Sequence, residues 1–292
     1  MNNKALRSDL LLLLTAAIWG FAFVAQRVGM EHLGPYAFNG IRFGLGCMVL
    51  APIIVSRRSK KTITVRTGGL AAKAPGALLA GLVLFLGSSF QQVGLVHTTA
   101  GNAGFITGLY MVIVPVFGAF TGHRTSFNTW AGAFIASAGL YLLCIKQGST
   151  MAFGDMLELI GAFFWAGHVL IIARLSPVHD PFKLAFTQYA VCSCMSLAVS
   201  LFIEKTTFDG VIQTTIPLLY GGILSVGVAY TLQVIAQRTA PPAHASIILS
   251  LEAVFASIGG WIMLKELLNA RELMGCMLML AGMLTSQMRR ND

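Results

Sequence analysis

The sequence predicts an all-α integral membrane protein with ten transmembrane helices, arranged as two inverted five-helix repeats. Three observations predict this fold class. Hydrophobic residues make up 56% of the 292 residues and charged residues only 11%, whereas a soluble domain has roughly 25% charged residues. Apolar runs of helical length recur along the whole chain. Uncommon residues of the first half also recur in the second half at a nearly constant spacing.

Ten apolar runs, separated by Gly, Pro or charged residues, define the predicted spanning helices. Each has about 18 to 23 residues, which at 1.5 Å of rise per residue is enough to cross a hydrocarbon core of about 30 Å. The turns between them are too short for a soluble domain. In chain order the runs cover 9–28, 36–56, 74–96, 100–121, 129–146, 155–174, 182–203, 215–236, 243–264 and 271–288.

The first apolar run follows two cations, Lys4 and Arg7, much as the apolar core of a secretory signal peptide follows its charged start. Nine further runs follow, and no clean cleavage site precedes a soluble domain. We therefore interpret the first run as a spanning helix. The fourth and eighth runs contain Pro115 and Pro217, which we expect to bend their helices.

Basic residues are distributed unevenly between the two sides of the predicted helices. With both termini in the cytoplasm, fourteen of the twenty Lys and Arg residues lie on the inner side and five on the outer side, while Arg42 lies within a span. Cytoplasmic loops collect basic residues, so we predict cytoplasmic termini, a cytoplasmic segment from Arg57 to Lys73, and location in a cell inner membrane. The same rule explains the net charge of +9, and no nucleic-acid partner is expected.

The five cysteines do not have the spacing of a disulfide framework or a metal site. We therefore expect no metal and no cofactor. The sequence contains no phosphate-binding Gly-x-x-x-x-Gly-Lys-[Ser/Thr] loop, so we expect no direct drive by ATP. It also contains no His-Glu-x-x-His or Gly-x-Ser-x-Gly motif, which argues against an intramembrane enzyme.

An internal repeat links the two halves of the chain. Three uncommon residues recur 146 positions later: Asp9 at Asp155, Trp19 at Trp165 and Pro35 at Pro181. Other matches keep spacings of 140, as Leu109 and Leu249 do, or 143, and loop insertions produce such slips. We interpret residues 1–147 and 148–292 as two homologous five-helix repeats. Because five is an odd number, the second repeat enters the membrane in the opposite direction.

Inverted repeats are typical of secondary transporters, because two related halves can exchange conformations and open a midplane site to either side in turn. The pattern therefore predicts a transporter that moves a small organic solute between the halves. Two alternatives stay open. One is a gene duplication without alternating access, and the other is a membrane scaffold or receptor without solute flux. The oligomeric state is left open by the sequence.

Short motifs in both halves carry a family resemblance. They are Asp9, Ala16, Trp19-Gly20, Arg42-Phe43, Leu251-Glu252-Ala253-Val254-Phe255, Leu264-Lys265-Glu266 and Ala281-Gly282. Over nearly the whole chain the sequence resembles EamA-type members of the drug/metabolite transporter superfamily. The resemblance implies a ten-helix inverted-repeat carrier, usually an exporter of metabolites, amino acids or drugs. Ala253 departs from the family's Leu-Glu-Pro-Val-Phe pattern, and Gly122-His123-Arg124 departs from its Gly-Glu-Arg.

Ionisable side chains near the centre of a span cost about 2.5 to 3.5 kcal/mol, so each needs an explanation. Arg42 lies about six residues inside its helix and either snorkels to the interface or attracts an anion, with Glu31 or Glu252 as partners. Glu252 lies about nine residues into the ninth helix. It is either a coupling carboxylate that exchanges protons or a buried carboxyl bonded to a neighbouring helix end. For Glu158 we expect a structural role at the interface.

Aromatic and uncharged polar residues complete the predicted site. Trp19 and Trp165 lie about ten residues into their helices, where no headgroup is available to anchor them, so we predict that they line a cavity. His168 shares a helical face with Trp165 and is either a packing residue or part of the site. Hydrogen bonds between helices are the alternative for the other polar candidates. The predicted substrate-binding residues are Trp19, Arg42, Gln91, Tyr110, Trp165, His168 and Tyr230, with Glu252 for coupling to protons.

Overall fold

The computed structural model of the chain describes residues 3–59, 70–98, 100–120, 125–144, 152–264 and 269–288. Within these ranges all regular secondary structure is helical, as predicted. Eight helical stretches of the described residues, three of them made of consecutive helices, are long and apolar enough to cross a membrane, and Phe127–Leu143 is a shorter apolar helix. The ten spans and their inverted arrangement therefore stay predictions. Residues 60–69, 121–124 and 265–268, which carry most of the predicted cytoplasmic segment and parts of two motifs, lie outside the described residues.

Helix ends follow the prolines of the sequence. Pro35, Pro181 and Pro242 each begin a helix, because proline has a fixed φ and lacks the amide that would be unpaired there. The first helices are α1 Asn3–Gly29, α2 Pro35–Ser59, α3 Leu70–His97, α4 Ala100–Gly108, α5 Tyr110–Phe120, α6 Phe127–Cys144 and α7 Phe153–Leu175. They are followed by α8 Pro181–Ile203, α9 Phe208–Gln213, α10 Thr215–Leu219, a π-helical segment Tyr220–Tyr230, α11 Thr231–Ala236, α12 Pro242–Leu249, α13 Glu252–Leu264 and α14 Ala270–Gln287.

Two predicted spans are interrupted at positions that nearly correspond in the repeat, since Leu109 matches Leu249, the residue just before the second break. The fourth breaks at Leu109, whose amide donates to the carbonyl three residues earlier at 3.2 Å. The ninth breaks at Ser250, whose hydroxyl donates to the carbonyl three residues earlier at 2.8 Å and so competes with the helical pattern. Pro115, the expected site of bending, lies inside α5, since one lost hydrogen bond does not end a helix. Interrupted backbone at membrane depth is tolerated where it is buried or lines a cavity.

The eighth predicted span changes its geometry along its length. Pro217 lies in α10, just before the π-helical segment. A π-helix has hydrogen bonds that skip one residue more than those of an α-helix, and it occurs frequently at functional sites. Ser225 and Tyr230 belong to this segment.

Glycines bring α6 and α14 into backbone contact. A Cβ atom added to Gly139 would lie 2.6 Å from the carbonyl oxygen of Gly275, and one added to Gly132 would lie 2.5 Å from that of Gly282. Only glycine therefore permits this approach. Gly132 matches Gly275, and Gly139 matches Gly282, at a spacing of 143. The two contacts are thus exchanged when the halves are exchanged.

The largest cluster of buried apolar side chains contains several aromatic rings from different helices. Phe43 on α2, Trp165 on α7, Tyr189 on α8 and Tyr230 all belong to it. The ring centroid of Tyr230 lies 5.9 Å from that of Phe43 and 6.2 Å from that of Tyr189. These contacts place Tyr230 at the junction of both halves of the chain.

Candidate functional site

A cavity lies between helices of both halves, with about 500 Å³ of space free of protein atoms, counting any part open to solvent. Seven of the eight predicted site residues line it: Trp19, Arg42, Gln91, Tyr110, Trp165, Tyr230 and Glu252. The cavity therefore brings together side chains from α1, α2, α3, α5, α7, α13 and the π-helical segment.

Three aromatic rings form one wall of the cavity. The centroid of Tyr230 lies 4.5 Å from that of Trp19 and 6.1 Å from that of Trp165. The indole Nε1 of Trp19 donates to the carbonyl of Ser225 at 3.2 Å. The indole Nε1 of Trp165 is buried and has no hydrogen-bond partner among the described residues. The two matched tryptophans thus share their position at the cavity but differ in their hydrogen bonding.

Arg42 presents a positive charge at the cavity. Its side chain is only 3% exposed, and its Nε donates to Asn39 Oδ1 at 2.9 Å. Asn39 in turn donates to the carbonyl of Ser88 at 3.0 Å, which fixes the amide. The guanidinium carbon lies 5.0 Å from the Phe43 ring centroid. Among the described residues, no carboxylate forms an ion pair with Arg42, and neither Glu31 nor Glu252 lies within ion-pair distance of it.

Glu252 presents a carboxylate at the cavity from the first residue of α13. Its side chain is 6% exposed. The hydroxyl of Tyr110, which is the first residue of α5, donates to Glu252 Oε1 at 3.5 Å. Both residues follow the interruptions of their helices. The two breaks therefore direct a hydrogen-bond donor and an acidic group toward the same cavity.

Several lining residues were not predicted from the sequence, among them the polar residues Gln26 and Thr107. Gln26 lies seven residues after Trp19 on the same face of α1, a periodicity that was available as a signal. Thr107 precedes the break after α4, and its hydroxyl donates to Glu158 Oε2 at 2.9 Å. Glu158 is fully buried and packs against Gly94 of α3. Glu158 is thus covered by α3 and α4 and has a structural hydrogen bond, while its depth relative to the membrane interface stays a prediction.

His168 does not line the cavity but packs behind the rings of Trp165 and Tyr230, which form the cavity wall. Its imidazole centroid is 6.1 Å from that of Trp165 and 6.4 Å from that of Tyr230. Its Nε2 lies 2.7 Å from Gln188 Oε1 on α8. The side chain is 1% exposed, so the aromatic wall separates it from the cavity.

Comparisons with known proteins agree with this architecture. The profile of the EamA-like transporter family matches residues 6–145 and 152–287. An uncharacterized transporter of Archaeoglobus fulgidus is 31% identical over 290 residues, covering 98% of this chain and 87% of that protein. The uncharacterized transporter YoaV of Bacillus subtilis is 23% identical over 272 residues, covering 91% of both chains. One crystal structure of a protein shares the fold with a TM-score of 0.78 and 16% identity, over 96% of each chain.

Proposed function

The chain belongs to the EamA-like transporter family of multi-pass membrane proteins, and from that premise we propose that it exports a small organic solute by alternating access. Metabolites, amino acids and drugs are the substrate classes considered. The solute binds in the cavity between the halves, against Trp19, Trp165 and Tyr230. Gln91, Tyr110 and Arg42 supply hydrogen bonds and positive charge.

The observation that carries this proposal is the pair of opposite charges at the cavity. Arg42 and Glu252 both line it and are not paired with each other. An unpaired charge within a membrane protein is expensive, so its retention needs a compensating partner. A solute that enters the cavity can supply this partner. Discontinuous helices also supply the solute sites of known secondary transporters, as α4–α5 and α12–α13 do here.

Three features support two inverted repeats at 1–147 and 148–292. The family profile matches the chain in two segments. The helix breaks at Leu109 and Ser250 fall within one residue of corresponding positions. The glycine contacts between α6 and α14 are exchanged with each other by the repeat. Ten spans follow if α6 and α14 cross the membrane in addition to the eight long apolar stretches.

The distribution of basic residues supports cytoplasmic termini in a cell inner membrane. Reporter fusions at each terminus test this orientation in intact cells. A reporter that is active only outside the cytoplasm should be inactive at both ends. Activity at either end contradicts the assignment.

Glu252 is proposed as the coupling residue, with a proton as the coupling ion. A carboxyl in the cavity can take up a proton in one facing state and release it in the other. The proton then neutralises the charge while the solute is absent. This role is consistent with the position of Glu252 at a helix break.

Flux into proteoliposomes tests the proposed function. Radiolabelled amino acids, organic acids and cationic drugs are offered with and without an imposed pH gradient, and protein-free liposomes serve as the control. We expect protein-dependent flux of at least one class, and faster accumulation with the gradient. Binding of a solute without flux indicates a receptor instead. Absence of both contradicts the proposal.

A further inference from the structure

Buried polar atoms without hydrogen-bond partners lie behind the aromatic wall of the cavity. Among the described residues these atoms include His168 Nδ1 and Gln188 Nε2. His168 and Gln188 bond to each other through their remaining polar atoms at 2.7 Å. A buried polar group without a partner is unfavourable. Packing alone therefore does not explain why these groups are placed here.

The internal repeat relates His168 and Gln188 to residues of the first half. At the spacing of 146, His168 corresponds to Ala22 and Gln188 corresponds to Arg42. Ala22 and Arg42 both line the cavity, whereas neither His168 nor Gln188 does. In the first half, Ala22 and Arg42 therefore line the cavity. Their counterparts in the second half, His168 and Gln188, lie behind its aromatic wall.

Two inverted halves can exchange conformations, and the exchange opens the site to the opposite side. Residues of the second half then take the environment that their counterparts have here. Resting on the proposed alternating access, we propose that His168 and Gln188 form the solute-binding pair of the oppositely facing cavity. In the present structure this polar pair is occluded, and its unpaired atoms are the ones that the solute reaches.

The chemistry of the polar pair identifies the group that it takes. In either orientation of the Gln188 amide, a neutral His168 leaves the pair with at least one free donor and at least one free acceptor. An uncharged hydrogen-bonding group, such as a hydroxyl or an amide, fits this arrangement. The counterpart position in the first half holds the permanent charge of Arg42 instead. Binding of an anion is therefore stronger in the state described here than in the opposite state.

Thiol labelling from each side of the membrane tests the polar pair without knowledge of the solute. The full chain, with its five natural cysteines replaced by alanine, receives a single cysteine as Ala22→Cys, His168→Cys or Gln188→Cys. An impermeant methanethiosulfonate reagent is added to right-side-out or to inside-out vesicles. We expect Ala22→Cys to react from one side. His168→Cys and Gln188→Cys should react at least about tenfold faster from the opposite side, because each state excludes the reagent from one side.

Ala22→Cys is the matched control, since it reports the cavity seen here. The polar pair is contradicted if its cysteines react from the same side as Ala22→Cys. The proposal is also contradicted if His168→Cys and Gln188→Cys do not react from either side while Ala22→Cys does. That result indicates that both residues stay packed in every state. Using two separate positions keeps the test decisive if one variant fails to reach the membrane. Flux in the same vesicles is judged separately: opposite labelling without any flux contradicts the proposed transport and leaves the polar pair intact.

Discussion

Trp19 and Trp165 occupy corresponding positions in the two halves, and both line the cavity. The charged residues of the cavity have no such counterparts. Arg42 corresponds to Gln188 at a spacing of 146, and Glu252 corresponds to Val112 at a spacing of 140. The first half therefore contributes the positive charge and the second half the negative charge, while the aromatic surface is common to both.

The shared aromatic residues and the unshared charges bear on two different properties of a carrier, which are solute binding and the difference between its facing states. A surface common to both halves offers the solute similar contacts in both facing states. A charge present in one half alone makes the binding free energy differ between the states, and a ligand shifts an equilibrium only by such a difference. We therefore propose that the shared tryptophans serve binding and that the unshared charges serve direction and coupling.

Glu252→Gln makes the sharpest change to this asymmetry and has the largest expected effect. It removes the negative charge but nearly preserves the shape of the side chain and its contact with Tyr110. Proton-driven accumulation should be abolished, because a neutral amide cannot change its charge between the states. Downhill exchange should continue. Accumulation with an imposed pH gradient and exchange without one are compared in proteoliposomes, using a solute found by the flux screen.

Glu158→Gln is the matched control for this experiment. Glu158 is a fully buried carboxyl that bonds to Thr107 and does not line the cavity. Its variant should keep the pH dependence of transport. Unchanged pH dependence in Glu252→Gln would assign Glu252 a structural role instead.

Arg42→Gln gives the first half the residue that the second half has at Gln188. A hydrogen bond to a charged group contributes about 1.5 to 3 kcal/mol, so the apparent affinity for an anionic solute should fall about 10- to 100-fold. Uncharged solutes should be affected much less. KM values for both kinds of solute measure the difference. Arg27→Gln is the control, since Arg27 is exposed and donates to the carbonyl of Thr98; an equal loss for all solutes argues against anion binding by Arg42.

The sequence predicted the lining residues that are rare in a membrane span. Arg42 and Glu252 stood out because charges are scarce there, and the tryptophans stood out through the repeat and their depth. Thr107 could not be distinguished, since small polar residues commonly serve helix packing. The break at Leu109 was missed because the sequence signal pointed to Pro115. The burial of Glu158 depends on which helices cover it, and position along one helix does not contain this information.

Trp19→Ala and Trp165→Ala test the shared part of the comparison. Each removes a ring that contacts Tyr230, and aromatic pairs contribute about 0.5 to 1.5 kcal/mol. Transport should therefore fall up to about tenfold in both variants, with membrane abundance largely retained. Trp261→Ala, at a position that is 52% exposed, should transport normally. Normal transport in both cavity variants would assign the tryptophans to packing or to lipid contact.

Trp19→Phe and Trp165→Phe should have the smallest effect, which is a shift in the populations of the two facing states. The two variants should shift these populations in opposite directions. In this state Trp19 Nε1 donates to the carbonyl of Ser225 at 3.2 Å, whereas Trp165 Nε1 has no partner among the described residues. A hydrogen bond contributes about 1 kcal/mol, which changes a population ratio about fivefold.

Trp19→Phe should therefore disfavour the state described here and slow the labelling of Ala22→Cys about fivefold if that state is the minor one. Trp165→Phe loses no bond in this state and should not slow the labelling. It should instead slow the labelling of Gln188→Cys, because exchange of the halves gives Trp165 the environment of Trp19. Labelling rates for the four combinations of ring variant and cysteine position measure this directly. If both ring variants slow the labelling of the same cysteine, the two tryptophans do not exchange environments between the two facing states.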